Sequence, residues 1–289
     1  MFTIVILSFH SRHLIIKFVE NIDSSIPIII IENSCDINLK NELEGKYKNI
    51  SVIIPNTNLG FSKGMNLGIN ESKTEYVFLN PADVLLPKKC LDELIECLKS
   101  FNDFAMLAPT YKDETTYKNY ELYSDIKKVD NPIGKKFGIK EVDIIDGTFI
   151  IKKNEFKNIG LMDENIFIYF ETWDLSKRVA MAGKKMYVCD KIKFEHLGGQ
   201  SHESKYNFPA TLSRNWHYCW SKFYYLKKYN SYIYAFKKTF PILIKSIIKC
   251  LRFRLSNKKQ YQIHMAEVKG LIAAYFFKKS NYRPYESQK

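Results

Sequence analysis

The chain has 289 residues, carries 44 lysines and arginines against 31 acids for a net charge of +13, and is 46% hydrophobic. A chain of that size buries a substantial core without cross-links. Its six cysteines, Cys35, Cys90, Cys97, Cys189, Cys219 and Cys250, show no CxxC or Cys/His clustering, which suggests neither a zinc site nor a disulfide framework and fits a reducing cytosol.

Residues 1–8 carry no basic leader and no small-residue cleavage site, so they read as a buried strand and not as a signal peptide. Thr3–Phe9 and Ile26–Ile31 are β-branched apolar runs flanking a helical segment. A helix over Leu39–Tyr47 and a strand over Ile50–Ile54 follow. This βαβαβ rhythm predicts a parallel sheet with helices on both faces. Gly60–Asn70 reads as a loop entering a helix, Tyr76–Leu79 as the next strand, and Leu91–Leu98 as a helix with positions 91, 94, 95 and 98 on one stripe. Tyr111–Lys140 is polar, rich in Tyr and Lys, and suits a substrate loop or a connector. Ile144–Ile151 predicts one strand carrying Asp146-Gly147. Ile166–Gly183 predicts a loop and an amphipathic helix stopped by its glycine. Lys185–Val188 and Ile192–Phe194 are two further strand-like runs. Beyond Ser201 the chain reads as mainly helical, punctuated at Pro209 and Pro241.

The charge is unevenly placed. Residues 201–289 hold 18 lysines and arginines against three acids, which leaves the first 200 residues at −2. Aromatic residues crowd the same segment, from Trp216 through Tyr224, Tyr225 and Tyr234 to Phe276 and Phe277. Cations interleaved with interfacial aromatics suit an anionic membrane surface, touched without insertion. The stretch from Phe240 to Leu251 is broken by Lys245 and Lys249 and falls short of the ~20 apolar residues a span requires. A nucleic-acid partner is not expected, and a plain solvated helical face is the simpler alternative.

In an open parallel sheet, ligands bind beyond the carboxyl ends of the strands. The polar residues there are Ser8 after the first strand, Glu32-Asn33-Ser34-Cys35-Asp36 after the second, Asn56–Asn66 after the third and Asn80-Pro81-Ala82-Asp83 after the fourth. Asp146-Gly147 and His196 follow later strands. Glu32 and Asn33 suit the edge of a nucleobase or ribose hydroxyls. Lys63, among Asn58, Gly60, Gly64 and Asn66, suits a diphosphate. The lysine is misplaced for a Walker loop, which disfavours a P-loop ATPase. Asp83 suits a hard divalent cation, Mn²⁺ or Mg²⁺, with His196 as a second candidate ligand; a helix N-cap and an ordinary turn histidine are the competing readings. Glu171 and Asp174 stand at a helix start, one suited to base work and the other to pairing with Lys177 or Arg178.

Taken in order, these residues resemble glycosyltransferase family 2, particularly bacterial members similar to rhamnosyltransferases of O-antigen assembly. The resemblance spans about Thr3 to Ser201. It rests on Glu32-Asn33-Ser34, Asn58-x-Gly60-Phe61-x-x-Gly64-x-Asn66, Leu79-Asn80-Pro81 and Asp146-Gly147-Thr148-Phe149. Met162-Asp163-Glu164, Phe167-x-Tyr169-Phe170-Glu171, Asp174-Leu175 with Arg178, Ala182-Gly183 and His196-x-Gly198-Gly199-x-Ser201 complete it.

The resemblance implies a GT-A-like, Rossmann-like α/β fold with a mostly parallel sheet, followed by a helical basic C-terminal region. Its expected organisation is a catalytic domain over 1–200, with a nucleotide-sugar half at 1–110 and an acceptor half at 141–200, and a tail over 201–289. It implies a nucleoside-diphosphate-sugar donor held with a divalent cation, a saccharide or lipid-linked acceptor, and inversion at the anomeric carbon. Ser8, Glu32, Asn33, Asn58, Gly60, Lys63, Asn66, Asn80, Asp146 and Gly147 are the expected donor contacts, Asp83 and His196 the metal ligands, and Glu171 or Asp174 the base. The expected location is the cytoplasmic face of the membrane.

Two positions depart from the family pattern. The family's metal motif is Asp-x-Asp or Asn-Pro-Asp, whereas this chain reads Asn80-Pro81-Ala82-Asp83, so either Ala82 replaces an acid or one residue is added and Asp83 is that acid; the latter is favoured. The family's Glu-Asp pair is here Glu171-Thr172, and threonine is no base near neutral pH. A catalytically impaired relative that still binds nucleotide sugar or supports a partner enzyme is therefore the second hypothesis, and a sugar nucleotidyltransferase the third.

Overall fold

The computed structural model describes residues 2–123, 125, 127–198 and 202–284. The chain divides into two compact units, Met1–Met162 with Thr172–His202, and Asp163–Glu171 with Glu203–Lys289.

Up to His196 the elements are β1 (Phe2–Ser8), α1 (Arg12–Val19), β2 (Ile28–Glu32), α2 (Ile37–Lys46), β3 (Ile50–Ile53), α3 (Gly60–Glu71), β4 (Tyr76–Pro81), β5 (Val84–Leu85) and α4 (Lys88–Ser100). They continue with β6 (Met106–Tyr111), β7 (Tyr120–Glu121), α5 (Pro132–Phe137), β8 (Ile139–Glu141), β9 (Ile144–Ile145), β10 (Phe149–Lys152), α6 (Phe156–Ile159), α7 (Glu171–Met181) and β11 (Met186–His196). The main sheet runs β3-β2-β1-β4-β10-β6-β11-β5, with β8 also on β11, while β7 and β9 form a separate ribbon. β3, β2, β1 and β4 are mutually parallel. β10 lies antiparallel to both β4 and β6, and β6 is parallel to β11. Six principal strands therefore end on one edge, and the reversed β10 begins there.

The inner strands are near-continuously apolar because both faces are covered. Ile4, Ile6, Ile28 and Ile30 pack with Leu14, Phe18, Leu39, Leu43, Leu91 and Leu94 of α1, α2 and α4. The alternate residues Val5, Ile29 and Ile31 pack with Met65, Ile69, Leu175 and Val179 of α3 and α7. Helix α3 approaches β1 so closely that a Cβ on Gly64 would lie 2.4 Å from Leu7 Cδ1, and one on Gly68 would lie 2.3 Å from Val5 Cγ1. Each glycine costs a helix ~1 kcal/mol relative to alanine. Here that cost is offset by the packing it permits.

Several expectations need correction. Ile144–Ile151 is not one strand, because Gly147 at φ +68° breaks it into β9 and β10. The runs at 185–188 and 192–194 are one strand, β11, with an irregularity between Cys189 and Lys193. Tyr111–Lys140 holds β7, α5 and part of β8, with Asn131 capping α5 through Gly134 N at 2.7 Å. On α4 the buried positions are Leu91, Leu94 and Cys97, with Ile95 and Leu98 only partly covered. Cys97 and Cys189 bring their sulfurs to 3.6 Å as free thiols, and none of the six cysteines is bridged.

The second unit contains α8 (Asn207–Tyr229), α9 (Tyr232–Phe253) and α10 (Lys258–Tyr275). Trp216, Cys219, Trp220, Phe223, Ala235, Ala266, Leu271 and Tyr275 form its core. Pro209 falls in the first turn of α8. Pro241 does not punctuate: it lies inside α9, at an exposed position where water can serve the carbonyl left without a donor. The breaks fall at Asn230 and Asn257, where Ser231 caps α9 through Tyr234 N and Asn257 caps α10 through Gln260 N.

The 163–171 segment packs on α8. Tyr224 Oη and Lys228 Nζ both donate to Asp163 Oδ2, at 2.9 and 2.7 Å, and Ser221 Oγ donates to the Ile168 carbonyl at 2.9 Å. Tyr169 and Phe170 are consecutive left-handed residues, φ +69° and +67°, a conformation costing a non-glycine residue roughly 1–2 kcal/mol. Rings of Tyr218 and Tyr225 on α8 brace them. Among the described residues no helix is long and apolar enough to cross a membrane.

Candidate active site at the carboxyl edge of the sheet

Asp83 occupies the Ala82-Asp83 link between β4 and β5. Asn80 shapes that turn: its Nδ2 donates to the Pro81 and Val84 carbonyls at 2.9 and 3.0 Å, and its Oδ1 accepts from Thr148 Oγ1 at 3.3 Å. Ala82 is buried in the core, leaving Asp83 as the acid of the turn. The short β5 pairs antiparallel with the end of β11, matching Val84 to His196, and Leu197 N donates to the Asp83 carbonyl at 2.9 Å. Asp83 Oδ2 thereby stands 3.5 Å from His196 Nε2. The residue capping α4 is Pro87, so Asp83 is no helix cap.

Two tyrosines hold the imidazole. Tyr111, the last residue of β6, stacks on it at 5.1 Å and 19°, and Tyr117 meets it edge-on at 4.5 Å and 86°. His196 Nδ1 is buried with no hydrogen-bond partner among the described residues. Tyr111 Oη donates to Thr148 Oγ1 and accepts from Thr148 N, both at 3.2 Å. Burial raises the Tyr111 phenol well above its usual range against those Thr148 bonds, and the nearby Asp146 and Asp83 carboxylates push it further. One phenol thus feels both aspartates.

Asp146 precedes the reversed β10 on this edge and is exposed. Its Oδ1 accepts from Gly147 N at 2.8 Å and from Thr172 Oγ1 at 2.7 Å. Gly147 is required on two counts, its positive φ and the Tyr111 hydroxyl 2.4 Å from where a Cβ would stand.

The other expected donor contacts are arranged differently. Asn33 Oδ1 accepts from Leu59 N at 3.2 Å, and its Nδ2 donates to the Gly60 carbonyl at 3.4 Å. Asn58 Oδ1 accepts from Gly60 N at 2.9 Å. With Gly60 at φ +75°, these three fix the entry to α3. Asn66 is a reciprocal clamp on Met162, donating to its carbonyl at 2.9 Å and accepting from its N–H at 3.0 Å. Asn33, Asn66 and Asn80 are therefore buried and fasten the loops around them. Ser8 and Glu32 are buried opposite each other in the β1–β2 register. Burial raises the Glu32 carboxyl above its ordinary range, against hydrogen bonds from Ser34, whose N–H donates to Oε1 at 2.6 Å. Lys63 is exposed on α3.

Of the two expected base candidates, Glu171 is buried, at 6% exposure. Asp174 is fully buried with its Oδ2 2.9 Å from Arg178 Nε. The same guanidinium donates to the Ile159, Gly160 and Leu161 carbonyls at 2.8, 2.9 and 2.6 Å. Asp174 is thus paired with Arg178, one of its two expected partners. Gly199 and Ser201 of the resemblance lie outside the described residues. Tyr111, Tyr117 and Thr172 went unremarked as site-builders in the sequence; only the register of β6 and the fold of the following loop bring the tyrosines to His196.

The family model "Glycosyl transferase family 2" matches residues 3–170. The chain belongs to that family. This family 2 chain is 24% identical over 207 residues to the low-salt glycan biosynthesis hexosyltransferase Agl10 of Haloferax volcanii, covering 67% of the chain and 66% of the relative. It is 24% identical over 183 residues to the dTDP-rhamnosyl transferase RfbF of Shigella flexneri, covering 60% of each. The chain thus spans a little under two-thirds of the curated relatives it matches. Its fold matches GT-A structures: the mannosyltransferase PcManGT of Pyrobaculum calidifontis, in complex with GDP-Man and Mn²⁺, at TM-score 0.57 and 10% identity over 96% of this chain and 87% of that one; and S. aureus TarS 1–349, in complex with UDP, at TM-score 0.52 and 11% identity over 100% and 92%.

Proposed function

We propose that the protein transfers a sugar, with inversion, from a nucleoside-diphosphate donor to a saccharide or lipid-linked acceptor in surface-polysaccharide assembly, at the cytoplasmic face of an anionic membrane. Family membership supports glycosyl transfer, and the observation that carries the site is the Asp83–His196 pair at the carboxyl edge, beside Asp146.

A divalent cation fits that pair. A carboxylate oxygen and an imidazole nitrogen form a mixed donor set suited to Mn²⁺, and no group of three protein ligands occurs among the described residues. The remaining positions would fall to the donor's diphosphate and water. The bound cation supplies Lewis-acid neutralisation of the leaving diphosphate. Tyr111 and Tyr117 keep the imidazole facing Asp83, Asn80 fixes the turn, and exposed Lys63 supplies a further cation for phosphate oxygens.

Purified protein screened by thermal shift against UDP-, dTDP- and GDP-sugars with Mn²⁺ or Mg²⁺ tests this reading. A bound donor at 100 times its Kd stabilises by about 2.7 kcal/mol, and only a metal-dependent shift supports the cation site. Product analysis then separates transfer from an impaired binder: glycosylated acceptor supports the enzyme, and donor binding without product supports the second reading.

The membrane component is carried by α9. Ile233, Phe240, Ile244, Ile248 and Leu251 are all exposed and fall on one helical stripe that continues to Leu255. Lys237, Lys238, Lys245, Lys249 and Arg252 accompany them, with no acid in the helix. An apolar stripe edged by cations is suited to lie in an anionic interface, each cation contributing ~1 kcal/mol. The protein is expected to float with phosphatidylglycerol vesicles at low ionic strength and to leave them at about 1 M salt, where the Debye length is about 3 Å. Ile248→Glu with Leu251→Glu, both at exposed sites, should weaken binding at least ~10-fold. Equal flotation of that double variant, or resistance to salt, rejects the peripheral reading.

A further inference from the structure

We infer that Asp146 is the base that takes the acceptor's hydroxyl proton, and that Thr172 is its positioning residue. The inference rests on the transferase reading above.

Thr172 stands where the family has an acid, and its hydroxyl cannot accept that proton near neutral pH. The structure shows what it does instead. Its Oγ1 donates to Asp146 Oδ1 at 2.7 Å, and Gly147 N donates to the same oxygen at 2.8 Å. Two neutral donors on one oxygen hold the carboxylate in a single orientation. Oδ2 takes no hydrogen bond among the described residues and belongs to an exposed side chain. The neighbouring carboxylates are unsuited by comparison: Asp174 is fully buried against Arg178, and Glu171 is buried. The position is also apt. Asp146 lies on the same edge as the Asp83–His196 pair, and the Tyr111 phenol senses Asp146 and Asp83 together. An acid removed from α7 is thus replaced by one on the β9–β10 turn, with the threonine as its tether.

The step balances. The acceptor oxygen forms its bond to the anomeric carbon as its proton passes to Asp146 Oδ2. The bond from that carbon to the donor's diphosphate oxygen breaks, and its electron pair leaves with the nucleoside diphosphate. No further reactant is needed.

The test measures nucleoside-diphosphate release from UDP-, dTDP- and GDP-sugars with Mn²⁺, in the presence of free monosaccharides and detergent-solubilised lipid-linked saccharides, with donor affinity measured in parallel. Asp146→Asn should lower kcat by roughly 10²–10⁴-fold while donor affinity stays within about threefold. Thr172→Val should lower kcat and move the acidic limb of the pH–rate profile, and Thr172→Ser, which keeps the hydroxyl, should restore both; a merely structural threonine would leave the profile in place. Wild-type turnover in Asp146→Asn overturns the inference, as does loss of donor binding in that variant, which would make Asp146 a donor ligand. Collapse of turnover in Glu171→Gln with Asp146→Asn still active overturns it too. Donor binding by the unsubstituted protein without any product overturns the inference alone, whereas failure to bind any nucleotide sugar overturns the reading beneath it.

Discussion

Asp83→Ala is expected to remove metal-dependent donor binding and to lower turnover by about 10³-fold or more, since Lewis-acid stabilisation of a leaving diphosphate is worth several kcal/mol. The variant should fold normally. The turn is built by Asn80 and by the Asp83 main-chain carbonyl, which receives Leu197 N, while among the described residues the ion-pair partner of the carboxylate is His196. Thermal stability without ligand therefore separates a lost site from a lost fold. His196→Ala should weaken Mn²⁺ dependence in the same direction while retaining the single anionic ligand. Isothermal titration of donor with and without Mn²⁺ decides the matter, and an Asp83→Ala protein that keeps the wild-type metal response refutes the assignment.

Replacing Arg178 should have the largest effect on stability. Arg178→Ala takes the guanidinium away from Asp174, a carboxylate 0% exposed, and strips the donor from three consecutive carbonyls, at Ile159, Gly160 and Leu161. Breaking a buried pair by removing one partner costs about 3–5 kcal/mol. In a protein of this size each kcal/mol moves Tm by ~2–4 °C. A fall of roughly 6–20 °C is therefore expected in a thermal melt. The double variant Arg178→Met/Asp174→Leu should recover much of it, because it removes the buried carboxylate together with its guanidinium. A single-variant melting point within a degree or two of wild type would show that the guanidinium is not what satisfies Asp174.

What could be read from the sequence was set by local pattern. Four isoleucines in a row at 28–31 specify a strand covered on both faces, and the alternating helices require parallel connections, so the parallel half of the sheet and its carboxyl edge were legible. Asp83 was legible as a residue following a strand, whereas His196, read as following one, is the last residue of β11. Their pairing was not legible, because it depends on the two-residue strand β5 turning back onto β11. The fastening role of the asparagines was not legible for a related reason. An amide after a strand looks alike in sequence whether it faces ligand or fastens a loop, and the partners of Asn33 and Asn66 lie 26 to 96 residues away. Thr172 illustrates the same limit: as a residue type it signals a missing acid, and only its 2.7 Å contact with Asp146 shows what it supports.

The insertion of β10 between β4 and β6 bears on how the chain emerges from a ribosome. The first four parallel strands are complete once Pro81 has been made, yet β4 finds its second neighbour only with Phe149–Lys152, some seventy residues later. At 5–20 residues per second that interval lasts roughly 4–14 s. Throughout it, the Tyr76–Pro81 strand is an open, apolar edge able to pair with another nascent chain. The polar connector over 111–140, with its lysines and tyrosines, is synthesised within that window, after α4 and β6. Slowing translation between codons 82 and 148 should accordingly raise co-translational aggregation, while the same delay placed after codon 160 should not.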